Sequence, residues 1–212
     1  MRKIQFLTTL IAACSILLGA CGNASISQDG PMSTATPSET MIITPTEESI
    51  PNDTLTPEAG METPEWFGAS LTDVRTGQSF SINELKGKVI LVETMAQWCS
   101  NCLRQQGEVK ALHDKIGEND DFVSIGLDID PNENAADLKS YVEAKGFDWL
   151  YAVPTADVSR EIANLYGAQF LNPPSTPILI VDRQGIAHPL RFGIKSVDEL
   201  FEAVNMYLQE GL

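Results

Sequence analysis

Cys99 and Cys102 are the residues whose type and spacing most directly imply chemistry. Two intervening residues let the second sulfur reach the first, so the pair can close an internal disulfide or release a trapped mixed disulfide. The thiolate, not the thiol, is the nucleophile in such exchange. The strand-like residues 88–94 run into the motif, and a helix-like run follows it. A helix N-terminus offers unpaired N–H groups and partial positive charge, and both favour a thiolate at Cys99. The same spacing also occurs as half of a metal site. Zinc takes four ligands, and only His113 and His188 could add nitrogen donors. Both histidines read as surface residues, so no metal is expected.

The other two cysteines lie near the start of the chain. Arg2 and Lys3 precede an apolar run over residues 4–18, too short for a spanning helix and laid out as a secretory signal peptide. The run ends in Leu18, Gly19, Ala20 and Cys21, which is similar to a bacterial lipobox. Residues 1–21 are therefore read as a leader with Cys21 as the lipidation site, and Cys14 is removed with it. Any intramolecular disulfide in the folded part must then join Cys99 to Cys102. An exported protein with one such pair and no structural disulfide fits a redox catalyst better than a stapled scaffold.

Residues 22–62 contain no Lys or Arg and are rich in Thr, Pro, Ser and Glu without an apolar period. They are read as a disordered tether, with a coil span of roughly 35 Å. The formal net charge of −15 argues against nucleic acid or an anionic lipid surface as a partner. Attachment to a membrane is expected through the lipid alone.

Residues 63–212 read as one α/β domain. Residues 71–74 and 78–81 flank Arg75-Thr76-Gly77 as a hairpin, and a short helical turn follows near 83–87. Residues 89–94 are a buried central strand. The helix after Cys99 places Leu103, Val109, Leu112 and Ile116 at helical spacing, with Gly107 as a possible bend. A strand over 121–128, a helix over 131–145 and a short strand over 149–153 come next. A helix over 157–166, with Val158, Ile162 and Leu165 inward, ends at Gly167. A strand over 177–181 turns through 182–185 into a second strand, and Ser196 to Glu199 has capping-box form before a last helix. This order predicts a thioredoxin-like fold, a central mixed sheet flanked by helices, with extra N-terminal strands.

Gly87-Lys88-Val-Ile-Leu-Val92, Trp98-Cys99-x-x-Cys102, and Thr176-Pro177 before an apolar strand occur in this order. Together they resemble the TlpA/ResA-like extracytoplasmic thiol-disulfide oxidoreductases of the thioredoxin superfamily. The family is commonly lipid-anchored and reduces disulfides of exported proteins, including apocytochromes c during haem attachment. The resemblance implies such substrates, a membrane electron donor for recycling, no cofactor beyond the redox-active disulfide, and a place on the outer side of a bacterial membrane. It also implies a cis Pro177 facing the cysteines and a Thr176 backbone that hydrogen-bonds an extended substrate strand. The chain departs from the family at Asn101 and Gly107, where many members have Pro, and at Gln105, where some have Glu.

Glu93 lies six positions before Cys99, on the strand side of Val89 and Leu91, where thioredoxins carry a buried acid. Buried, it would have a raised pKa and could take the proton of Cys102 as general base. Exposed, it would be a solvated strand-end carboxylate. Trp98 either helps form the docking surface or simply packs, Trp66 and Trp149 read as packing residues, and Gln97, Ser100 and Asn101 are placed to tune the thiolate. Two other functions fit a thioredoxin fold. A peroxiredoxin-like peroxidase would carry Thr three residues before its reactive Cys, where this chain has Ala96. A copper chaperone would usually space its cysteines by three residues.

Overall fold

The structure is a computed structural model and describes residues 63–210. The expected signal peptide, lipidated Cys21 and tether lie outside the described residues. After a 3-10 turn at Glu65–Gly68, β1 (Leu71–Thr72) and β2 (Ser79–Phe80) form a small antiparallel hairpin. These are the expected extra N-terminal strands. A second 3-10 turn, Asn83–Leu85, leads into β3 (Val89–Met95), buried at every residue as its apolar run requires.

The chain continues through α1 (Ser100–Ile116), β4 (Phe122–Asp128), α2 (Ala135–Lys145), β5 (Leu150–Ala152) and α3 (Ala156–Tyr166). Two 3-10 turns, Ala168–Leu171 and Pro173–Ser175, precede β6 (Ile178–Val181), β7 (Ala187–Pro189) and α4 (Val197–Gln209). The main sheet has the order β5-β4-β3-β6-β7. β3, β4 and β5 are parallel, while β6 is antiparallel to β3 and β7 to β6. This is the thioredoxin-like mixed sheet.

Period-two alternation along β3 divides the core between the two faces of the sheet. Val89, Leu91 and Met95 pack with Val109 and Leu112 of α1, Leu138 of α2, and Leu200 and Val204 of α4. Ile90 and Val92 join Trp66, Phe67, and Val158 and Ile162 of α3 on the other face. Glu93 therefore belongs to the face that α1 covers.

α2 begins later than expected because Asn134 caps it, its Oδ1 accepting from the N–H groups of Ala136 and Asp137 at 3.0 Å each. Leu165 is 51% exposed, against expectation. The inward stripe of α3 instead runs Val158, Ile162, Tyr166, and the Tyr166 ring packs against Trp66 and Phe170. α1 runs through Gly107 as one uninterrupted helix. The capping box of Ser196 and Glu199 is present at α4. No helix among the described residues is long and apolar enough to cross a membrane.

Candidate active site

β3 delivers the motif to the start of α1, and Cys99 is the residue that caps the helix. Its Sγ accepts the N–H of Cys102 at 3.1 Å. The first turn of α1 carries no acidic side chain, so its positive end is left to the Cys99 sulfur. Cys99 and Cys102 are joined as a disulfide, with Cα atoms 5.2 Å apart. Cys99 retains 2% exposure, while Cys102 is fully buried. The Cys102 sulfur lies 3.2 Å from the carbonyl oxygen of Pro173.

Glu93 sits in the same strand, paired in register with Gly126 of β4 and Ile178 of β6. It is 2% exposed, and its Oε1 has no hydrogen-bond partner among the described residues. Burial pushes its carboxyl up to about 8, with the Lys195 ammonium pulling the other way. The buried environment, not the solvated one, is thus the one the fold provides. Gly126 is required beside it, because a Cβ there would run into the ring of Tyr151. The hydroxyls of Tyr141 and Tyr151 both bond Gln106 Oε1, at 3.2 and 3.4 Å.

Trp98 is 60% exposed, and its indole N–H donates to Asp130 Oδ2 at 2.6 Å. Asp130 is held below the usual carboxylate range, first by the backbone N–H of Asn132 and then by this indole. Gln97 reaches the same acidic loop. Its N–H donates to Glu133 Oε2 at 2.8 Å and its side-chain amide to Asp128 Oδ2 at 2.9 Å. Burial pushes Asp128 up to about 7, opposed by the Gln97 amide and reinforced by Glu133. An apolar cleft of about 620 Å³ opens beside this loop, lined in part by Ile129, Asp130, Val153, Pro154 and Leu171.

The loop before β6 departs from expectation. No peptide bond among the described residues is cis, so the Thr176–Pro177 bond is trans. Thr176 itself takes up the chain reversal at φ 45°, the left-handed region that a β-branched residue rarely enters. Thr176 is buried and both of its backbone groups are engaged. Its N–H donates to Pro173 O at 2.8 Å, and its carbonyl accepts from Lys195 Nζ. In this conformation neither group faces an incoming chain. The Pro177 carbonyl accepts from Thr94 N at 3.2 Å. Asn101 ties the motif to the same loop through Pro174 O at 3.0 Å.

The fold therefore gathers Cys99, Cys102, Glu93, Thr176 and Pro177 around one end of β3, with Trp98 on the surface beside them. His113 and His188 are more buried than expected and are used in packing. His113 bonds Ser124 Oγ and stacks on Trp149, and burial lowers its pKa. His188 bonds Asp182 and stacks on Tyr207. Among the described residues no group of three or more His, Cys, Asp or Glu side chains is arranged to hold a metal ion. Lys195, Asp128 and Glu133 carried no signal in the sequence, since each reads there as an ordinary surface charge.

A model of the AhpC/TSA family matches residues 61–192, more than half of the chain. The chain belongs to the AhpC/TSA family. No curated protein sequence matches it significantly. Among solved structures, it is similar to a thiol:disulfide interchange protein of the thioredoxin family from Chlorobium tepidum TLS. The TM-score is 0.54 at 22% identity, covering 66% of this chain and 92% of that one. It is also similar to MTB DsbF, with TM-score 0.55 and 20% identity over 68% of this chain and 98% of that one. A third similar structure is a secreted Mycobacterium tuberculosis disulfide oxidoreductase homologous to E. coli DsbE. There the TM-score is 0.53 at 17% identity, over 67% and 98% of the two chains. The AhpC/TSA chain thus carries a thioredoxin-like fold, with Cys99 and Cys102 as the cysteine pair at the start of α1.

Proposed function

We propose that the protein is an extracytoplasmic, lipid-anchored thiol-disulfide oxidoreductase that reduces disulfides of exported proteins. The observation that carries the reading is the placement of the Cys99–Cys102 disulfide at the N-terminus of α1, on the sheet face that holds the buried carboxyl of Glu93. In the reduced enzyme the Cys99 thiolate attacks one sulfur of a substrate disulfide. A Cys99–substrate disulfide forms and the other substrate sulfur leaves as a thiolate. Cys102 then gives its proton to Glu93 and attacks the Cys99 sulfur. The second substrate thiolate leaves, and the Cys99–Cys102 disulfide is restored. The substrate gains two electrons, and the proton on Glu93 is available to the departing thiolate. A dithiol donor at the membrane returns the enzyme to its reduced state.

Trp98 and the apolar cleft beside Asp130 support docking of an extended polypeptide next to Cys99. Docking against Thr176 and Pro177 requires the loop to release at least one of the two internal bonds of Thr176. Apocytochromes c awaiting haem are the substrate class that the TlpA/ResA resemblance suggests. Cys21 carries the anchor. Ala96, where a peroxiredoxin has Thr, argues against peroxidase chemistry despite the AhpC/TSA membership.

Two experiments test the reading. The reduced protein should reduce a disulfide-bonded polypeptide stoichiometrically, and no reduction would reject the activity. Metabolic labelling with a fatty acid should mark the wild type and spare Cys21→Ala. Equal labelling of both would reject the anchor.

A further inference from the structure

Lys195 is an unusual residue to find inside a protein. It is 2% exposed, and lysine is almost never buried unless paired. Its backbone is gripped at both ends by Gln105 of α1. Lys195 N donates to Gln105 Oε1 at 2.7 Å, and Gln105 Nε2 donates to Lys195 O at 3.1 Å. The Gln105 amide supplies the acceptor and the donor together. Its ammonium is aimed at main-chain carbonyls, at Thr176 O and at Arg191 O, the latter 3.3 Å away. No carboxylate among the described residues forms a salt bridge with it.

A buried ammonium without a contacting counter-ion is costly, so its position calls for an interior charge that it serves. The largest opposing charge acting on it is Glu93, whose Oε1 is itself without a partner. We infer that Lys195 is a positioning residue for Glu93. Held off from contact by Gln105 and the Thr176 carbonyl, its charge opposes the upward push of burial on Glu93 and couples that carboxyl to the loop facing Cys102. The inference rests on the role proposed above for Glu93. A direct salt bridge would occupy the carboxylate and make it a weak base. No cation at all would let burial push its carboxyl still further above neutral. An ammonium held at a distance avoids both.

Lys195 also reports the other side of the pair. Burial lowers it to about 8, Glu93 acting in the opposite direction, with Arg191 lowering it and Glu199 raising it. The other titratable groups that feel Glu93 are Tyr141 of α2 and Tyr151 of β5. The phenols are both shifted upward, chiefly by their own burial and then by Glu93. They stay neutral through the working range, so among the described residues Lys195 is the cation that acts on Glu93.

The test uses the oxidised protein for titration and the reduced protein for turnover. Lys195→Met removes charge and hydrogen bonding, while Lys195→Gln keeps a donor for the Thr176 carbonyl without charge. The Glu93 carboxyl, followed by its carbon-13 resonance, should titrate near 8 in the wild type. It should move up by about one unit or more in both variants, a roughly tenfold loss of the ionised form at neutral pH. The rate of disulfide reduction at pH 7 should fall by a similar factor and recover at higher pH. In a Glu93→Gln background neither Lys195 change should move the pH profile further. An unmoved Glu93 titration, or a shift with Met but not with Gln, overturns the role of charge. A rate loss equal at every pH, and still present with Glu93→Gln, marks a purely structural lysine and also overturns it. If Glu93→Gln keeps the wild-type pH profile, the base role itself fails, and the positioning role falls with it. The titration then shows which of the two readings was at fault.

Discussion

The Cys102 sulfur lies 3.2 Å from the carbonyl oxygen of Pro173, whereas the Cys99 sulfur accepts the N–H of Cys102 at 3.1 Å. The two sulfurs, one helical turn apart, thus meet groups of opposite polarity. An N–H and a helix N-terminus stabilise negative charge on Cys99. A carbonyl oxygen stabilises a proton on Cys102. In the reduced protein the first is prepared to be a thiolate and the second to remain a thiol until a base removes its proton.

That polarity separates the cysteine variants. Cys99→Ser should abolish reduction of a disulfide substrate. Cys102→Ser should accumulate a mixed disulfide with it, visible as a mass shift on a non-reducing gel and removed by dithiothreitol. Equal turnover by both variants and the wild type would contradict the division of roles.

Glu93→Gln should slow turnover near neutral pH and flatten its pH dependence. It should also stabilise the protein in a defined window. The folded-state carboxyl titrates near 8, against 4.5 for the unfolded chain. Between these values the unfolded state has lost a proton that the folded state retains, so wild-type stability falls as pH rises. Relative to the wild type, Glu93→Gln should be near neutral at pH 4. By pH 8 it should be more stable by on the order of 3–5 kcal/mol, read from urea midpoints at the two pH values.

Trp98→Ala should change stability by less than about 0.5 kcal/mol, because the ring is exposed. It should raise KM for a polypeptide disulfide while leaving the rate with a small aromatic disulfide within about twofold. The comparison of the two substrates is the measurement, and equal losses for both would place Trp98 in the chemistry instead.

Gly126→Ala should cost roughly 1–3 kcal/mol in urea denaturation, because the added methyl must displace the Tyr151 ring. The disturbance falls beside Glu93 in the sheet, so the apparent pKa in the turnover profile should move as well. A neutral substitution would show that the ring can swing away freely.

The fold was legible because the apolar period switches clearly between strand and helix. The run over 89–94, the stripe of Val109 and Leu112, and the Ser196–Glu199 capping box each state their element locally. Glu93 was legible for the same reason, since alternation along β3 fixes its face. The loop before β6 was not. Where the Thr176 carbonyl points is tied to Lys195, which Gln105 of a distant helix holds in place. Lys195 follows Ile194 and precedes a helix cap, a setting that looks like solvent. Its burial arises only when α1 and α4 pack together. The pairing of Asp128 with Glu133 through Gln97 is hidden in the same way, because Gln97 comes from a stretch of chain some thirty residues earlier.

The most direct test of the proposed chemistry is the reduction potential of the Cys99–Cys102 pair, measured by equilibration with a glutathione or dithiothreitol buffer. A protein that reduces substrate disulfides should show a reversible two-electron couple at or below about −230 mV. A value near about −120 mV, where the pair would donate disulfides, or the absence of any reversible couple, would contradict the reductase role.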